Sequence, residues 1–388
     1  MTSETFMSAN TPRKVLITGA TGLIGGRLCE VMALSGNLVP RAFVHSTASA
    51  ARITRFPLDF YVGDLGDLAS VDRSMDGCDA VVHLARGDKR VMEQGLENVL
   101  RVASAHGVSR FVHVSSVAVY GNSPPPESAS EATPAVRSDM EYGNIKLEQE
   151  HRVLRHAKRS GLPVVILRPP NVYGPYAGFT LDLLNKIRQG KMAILDGGRN
   201  PCNLVYVDNL VEAILLAIWK PEAIGEIFFV TDNGILSWEE CLSAHAALMA
   251  ASLCHISSAD FVSPPPVRMI RDSMRILPRV VLSGELRAVL RQIPAFRSIE
   301  KFLYNGFESM NGETKRKIRL RMNGPHVIPK VGSSGRRQYV RDNIMSAQAR
   351  TVAHLSDKAR RLLGYTAPIS FQEGMKLTEA WLRYARIL

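Results

Sequence analysis

The sequence predicts an α/β chain: a doubly wound parallel sheet with helices on both faces, a smaller mixed α/β part after it, and a basic helical insertion near the C-terminus. Three observations predict this. Short β-branched runs alternate with helical patterns, the first run ends in a glycine-rich turn that opens a helix, and the positive charge lies in the last third. The 388 residues, 46% hydrophobic and 22% charged, have the composition of a globular protein of two or three domains. Disordered, collagenous and small disulfide-scaffold classes are excluded.

The first strand is Lys14-Val-Leu-Ile-Thr18, a run that stops at a glycine as buried parallel strands do. Gly19-Ala-Thr-Gly22-Leu-Ile-Gly25-Gly26 follows, and a helical pattern continues from Arg27 to Ser35. Gly19 permits the tight turn, Gly22 lets backbone approach a pyrophosphate, and Gly25 lets helix and strand pack closely. The helix start then offers unpaired N–H groups to phosphate, so the turn is read as a dinucleotide site and the sheet as Rossmann-type. Further strands are predicted at Val39–Val44, Asp59–Val62, Ala80–Leu84, Arg110–Ser115 and Val164–Leu167, with helices at Glu93–His106 and Lys146–Ser160. Asp64, just past the third strand, sits where a carboxylate reaches an adenine amino group; a solvated turn residue is the alternative.

Three residues are candidates for the chemistry: Ser116, at the end of a buried strand, and the pair Tyr142 and Lys146. Four-residue spacing on a helix puts Tyr142 and Lys146 on one face, a turn apart. An ammonium there is expected to draw the phenol's pKa down from about 10, so that Tyr142 moves a hydroxyl proton while a nicotinamide exchanges hydride. Ser116 is expected to hold the same substrate oxygen.

The set TGATGLIG, VVHLA, VSSVAVYG, YGNIK, LRPPNVYGP and VYVDNL resembles the extended short-chain dehydrogenase/reductase superfamily, of the NAD-dependent epimerase/dehydratase type, over about residues 13–250. The resemblance implies a bound nicotinamide dinucleotide and a catalytic set of Ser116, Tyr142 and Lys146. Implied cofactor contacts are Gly19, Thr21, Gly22, Leu23, Ile24 and Gly25 in the turn, Asp64 and Leu65, Leu84 and Ala85, then Tyr142, Lys146, Pro169 and Asn171. A dinucleotide domain of residues 12–170 and a substrate domain of 171–388 are implied, with an insertion at 251–350 and closing helices in 355–388. Implied substrate contacts are Ser116, Asn171, Arg199 and Tyr206, and a homodimer is implied as well.

Departures bear on the substrate. Met92 stands where such enzymes usually carry an asparagine, and Cys202 aligns with the arginine that commonly grips a nucleotide-sugar diphosphate; Arg199, three residues earlier, is the substitute. A nucleotide sugar is the expected substrate. A hydrophobic alcohol, as in the 3β-hydroxysteroid dehydrogenase-like branch that shares Val205-Tyr-Val-Asp-Asn-Leu, is the alternative, and a non-catalytic dinucleotide-binding scaffold or sensor is a third reading. The second strand ends without the acidic residue an NAD site normally uses on the ribose. Arg41, His45, Ser46 and Arg52 lie nearby instead, which favours NADP over NAD.

The net charge of +12 is uneven: residues 1–250 carry 24 Lys and Arg against 26 Asp and Glu, and residues 251–388 carry 24 against 10. Nucleic acid is not an expected partner, because the first 250 residues lack a stacking-aromatic or zinc pattern. Val267–Leu277 and Leu286–Ile293 read as amphipathic helices with arginine faces, and Lys315–Arg341 as a basic loop. A solvated face, peripheral membrane contact through residues 267–341, and a lid over a phosphorylated substrate are the three readings. The five cysteines are widely spaced and read as reduced thiols; the histidines form no zinc pattern. Apolar runs fall short of a membrane span, the polar start carries no secretion signal, and a cytoplasmic protein is expected.

Overall fold

The computed structural model describes residues 14–88, 90–258 and 343–388. One compact unit comprises the described residues of 1–188, 193–256 and 343–388. The predicted helices Val267–Leu277 and Leu286–Ile293, the loop Lys315–Arg341 and the membrane contact at 267–341 lie outside the described residues. No described helix is long and apolar enough to cross a membrane.

The strands are β1 (Lys14–Thr18), β2 (Val39–Val44), β3 (Asp59–Val62), β4 (Ala80–His83), β5 (Arg110–Val114), β6 (Val164–Arg168), β7 (Asn171–Tyr173), β8 (Ile194–Leu195), β9 (Leu204–Tyr206), β10 (Ile227–Phe229) and β11 (His255–Ile256). The helices are α1 (Leu23–Ser35), α2 (Leu68–Met75), α3 (Leu96–Ala105), α4 (Glu141–Ser160), α5 (Gly178–Arg188), α6 (Val207–Trp219), α7 (Trp238–Ala247), α8 (Asn343–Ala347), α9 (Asp357–Leu363) and α10 (Phe371–Tyr384). Seven strands form one parallel sheet in the order β10-β6-β5-β4-β1-β2-β3, so the chain reverses its winding between β1 and β4. That switch point, at the carboxyl ends of the strands, is where this architecture opens a crevice for ligands. Separate pairs join β7 to β9 and β8 to β11.

Strand alternation explains the two layers. Val15 and Ile17 of β1, with Val112 and Val114 of β5, pack on Leu28 and Met32 of α1 and on Leu210 and Ile214 of α6. Leu16 and Phe111 face the other way, onto Met75 of α2, Leu96 and Val99 of α3 and Val153 of α4. With both faces covered, the strands must read as continuous apolar runs, which is why they were legible. Helix starts differ from the expectation. Glycines at the first turn of α1 weakened its pattern, yet it begins at Leu23; a π-helical turn, Val91–Gly95, precedes α3; and α4 begins at Glu141 rather than Lys146. The closing helices fall inside 355–388 as α9 and α10.

Candidate active site

The glycine turn is built as its spacing required. Gly19 has φ +72°, and a Cβ there would lie 2.7 Å from the Leu84 carbonyl carbon; a Cβ at Gly25 would run into the Gly19 carbonyl. The Gly22 N–H donates to the Gly19 carbonyl at 3.0 Å, and Gly22 begins α1 without a side-chain cap. With Gly22 exposed, the start of α1 therefore carries the uncapped N–H groups and partial positive charge that suit a phosphate. Thr21, Leu23 and Ile24 are half-buried around it, and Leu84 and Ala85 close its far side. This cradle, which side chains would fill, fits the pyrophosphate of a dinucleotide.

Of the predicted cations, Arg41 is a correction. Its Nε donates to Asp59 at 2.8 Å and its Nη1 to the carbonyls of Ser74 and Asp76, at 3.0 and 2.7 Å. Arg41 pairs with Leu16 across β1, three residues before β2 ends, so its guanidinium is spent on β3 and α2 rather than at the carboxyl ends. Arg52 is the cation at the turn: its Nη2 donates to the Gly22 carbonyl at 2.5 Å, in room that only glycine at position 26 leaves, and its guanidinium lies 4.9 Å from the Tyr176 ring centre. His45 is exposed directly after β2. Asp64 accepts from the Gly66 N–H at 2.7 Å and from Arg90 at 3.1 Å, and Leu65 gives its carbonyl to Asn98.

Ser116 leaves β5 in extended conformation and accepts from the Ala118 N–H at 3.1 Å. The start of α4 sits directly on this turn, for a Cβ at Gly143 would strike the Ala118 carbonyl. Glycine beside Tyr142 is thus what lets the tyrosine's helix approach the serine's strand. Lys146, a turn further, is buried and donates Nζ–H to the Val114 carbonyl at 2.9 Å. Burial, with Arg86 adding to it and Glu150 opposing, lowers its ammonium to about 8.

The expected influence of Lys146 on Tyr142 is corrected. Burial pushes the phenol above its ordinary range, and the opposing cation is Arg86, whose guanidinium lies 4.9 Å from the Tyr142 ring centre. Nothing in the local spacing pointed to Arg86, because it arrives from the loop after β4. Glu150 was findable, since it lies four residues beyond Lys146. It accepts from Ser115 and is gripped at two points by Arg168, at 2.9 and 2.6 Å. Arg168 also donates to the Tyr120 hydroxyl at 2.7 Å. Beneath this run His83 and His113, in register on β4 and β5, with ring centres 5.7 Å apart. His83 Nδ1 shares a hydrogen bond with Thr18.

Pro169 is buried and its carbonyl accepts from Val117; Asn171 is exposed at the head of β7. Arg199 is exposed, whereas Cys202 is 2% exposed. Tyr206 is a third correction: its ring packs on Tyr173, centres 5.3 Å apart, and against Gly374, so it is a core residue rather than a substrate contact.

The sequence of residues 15–230 matches the description "NAD dependent epimerase/dehydratase family". The chain belongs to that family. Family members are nicotinamide-dependent enzymes of the extended short-chain type, and this chain is one of them. It is similar to UDP-glucose 4-epimerase of Vibrio cholerae, 27% identical over 245 residues that cover 59% of this chain and 74% of the relative. It is also similar to the 4-hydroxy-2-methyl-3-oxo-4-farnesyl-3,4-dihydroquinoline-1-oxide ketoreductase of Stigmatella aurantiaca, 29% identical over 231 residues, 57% of this chain and 68% of that one. Among solved structures, the fold matches Thermus thermophilus UDP-glucose 4-epimerase in complex with NAD, with a TM-score of 0.62 at 19% identity, over 96% of this chain and 99% of the other.

Proposed function

We propose that this family member moves hydride at a secondary alcohol or ketone, with Tyr142 as acid and base, Lys146 as a coenzyme contact one turn further along α4 and Ser116 as the group that holds the reacting oxygen. The observation that carries this reading is the seat of α4 on the end of β5, where Gly143 meets Ala118 and so brings Tyr142 to the turn that starts at Ser116. When bound, the dinucleotide supplies or accepts the hydride. The chain's own groups do the rest. The turn residues Gly19, Gly22 and Gly25 would hold the pyrophosphate, and Asn171 and Pro169 would border the nicotinamide. Tyr142 gives a proton to the forming alkoxide in reduction, or takes one from the hydroxyl in oxidation. Arg86 above the ring favours the phenolate half of that cycle.

Residues 12–170 serve as the dinucleotide part and later segments as the substrate part, in a homodimer. Arg52 at the turn and exposed His45 directly after β2, a strand that ends without an acidic residue, support NADP over NAD.

The substrate in this reading is a nucleotide sugar, as the name of the Vibrio cholerae relative suggests. One observation favours a second reading, a hydrophobic ketone. Cys202, in the place of the diphosphate-gripping arginine, is buried and uncharged, and the Stigmatella aurantiaca relative is named for a farnesylated substrate. Mass spectrometry of ligands that co-purify, followed by assays of UDP-glucose and of a 3-oxoalkanoate with each coenzyme, tests both. Epimerisation without net coenzyme turnover supports the sugar; stoichiometric NAD(P)H consumption by the ketone supports the other. A purified protein that binds neither coenzyme contradicts the whole reading.

A further inference from the structure

The loop after β7 carries a tyrosine where its backbone favours glycine. Gly174, Pro175, Tyr176 and Ala177 form a turn closed by the Ala177 N–H, which donates to the Gly174 carbonyl at 3.1 Å. Proline in second place and a positive φ in third are the marks of a type II turn, whose third residue is usually glycine or asparagine. Tyr176 has φ +63° and is 44% exposed, so neither backbone preference nor burial accounts for a large ring there. Two contacts hold the ring. Trp381 of α10 lies 4.6 Å from it between ring centres, and the Arg52 guanidinium lies 4.9 Å from its centre. Arg52 Nη2 also donates to the carbonyls of Gly22 and Leu23, at 2.5 and 3.5 Å, and the described residues engage no other donor of this guanidinium. Glu30 pairs with Arg27 and Arg55, at 3.0 and 3.7 Å, and not with Arg52.

We propose that Tyr176 is a positioning residue for coenzyme choice: backed by Trp381, it holds the Arg52 guanidinium at the glycine turn with donors left over for the 2′-phosphate of NADP. This role rests on the reading of Arg52 as the cation for that phosphate. An arginine left loose in solvent loses rotamer freedom when it meets an anion, and the ring contact and the carbonyl bond take that loss in advance. The attraction is to the face of the ring, so the Tyr176 hydroxyl is not needed for it. The strained backbone is then the cost of aiming a ring, which glycine lacks, at Arg52. NAD carries a neutral 2′-hydroxyl in place of the phosphate, and its binding should be indifferent to Tyr176.

The test is fluorescence titration of the full chain and its variants with NADPH and with NADH. Tyr176→Gly relaxes the turn and removes the ring, so NADPH should bind roughly 3- to 30-fold more weakly and NADH within about twofold of the parent. Tyr176→Asn, which also tolerates the left-handed region, should match it, and Tyr176→Phe should keep parental NADPH binding. In an Arg52→Ala background, Tyr176→Gly should cost nothing further. Unchanged NADPH binding in Tyr176→Gly and Tyr176→Asn, with Arg52→Ala still weakening NADPH selectively, would overturn the role of Tyr176 and leave Arg52 as read. A Tyr176→Gly loss that persists in full without Arg52 would overturn it too. If Arg52→Ala weakens neither coenzyme, or both alike, the reading of Arg52 falls and this role falls with it.

Discussion

Glu150 and Arg168 form a buried two-point ion pair, with side chains 2% and 4% exposed, one helical turn beyond Lys146. Deleting one partner strands the other charge in the core, an effect of about 3–5 kcal/mol, far more than the pair's net worth against water. Glu150→Ala should therefore lower the urea midpoint severely. Replacing Glu150 and Arg168 together by apolar residues of similar volume should cost less than either single change, which chemical denaturation would measure directly.

His83 and His113 make stability depend on acid. Burial, with Lys146 adding to it, lowers His83 to about 3 and His113 well below its ordinary 6.5. The folded state holds both neutral, while the unfolded chain takes up their protons below about 6.5. Their contribution is complete above that pH and declines as pH falls toward the folded value, at about 1.4 kcal/mol per pH unit for each histidine. Urea midpoints at pH 7 and pH 5 should show the loss, and His113→Phe should reduce its slope. An identical slope in that variant would remove His113 from the account.

Arg86 is expected to tune Tyr142. With Arg86→Met the cation 4.9 Å from the ring is gone and burial acts unopposed, so the phenol's pKa rises further. The alkaline-rising limb of the oxidation rate should move to higher pH, with coenzyme affinity little changed. A profile that does not move would show that Arg86 only covers the ring.

Arg52 should set coenzyme choice. A charge-assisted hydrogen bond to a 2′-phosphate is worth about 1.5–3 kcal/mol, so Arg52→Ala should weaken NADP by roughly 10- to 100-fold and leave NAD nearly unchanged. Equal loss for both coenzymes, read by fluorescence titration, would mean that Arg52 serves the turn and not the phosphate.

The sheet was legible because its strands are buried on both faces and punctuated by glycine, and the placing of Tyr142 and Lys146 on one helix, a turn apart, because it depends on local spacing alone. What escaped depends on contacts between distant segments. Arg41 was misread because strand alternation says which face a side chain takes, not which end of the sheet its guanidinium reaches. Tyr206 looked available because nothing in VYVDNL shows Tyr173 and Gly374 closing over it. Arg86 is invisible to periodicity, being delivered by a loop. Lys146 turned toward Val114 because the buried strand end offers a carbonyl at 2.9 Å.

The most direct test of the central claim is Tyr142→Phe, assayed on whichever substrate the unmodified enzyme turns over, beside titration of its coenzyme. Loss of the phenolic hydroxyl removes the proposed acid and base but leaves the glycine turn and Lys146 in place. Turnover should fall by about 10²–10⁴-fold, with coenzyme affinity within a few-fold of the parent. Turnover retained at the parental level would contradict the assignment of Tyr142, and with it the proposed chemistry of this site.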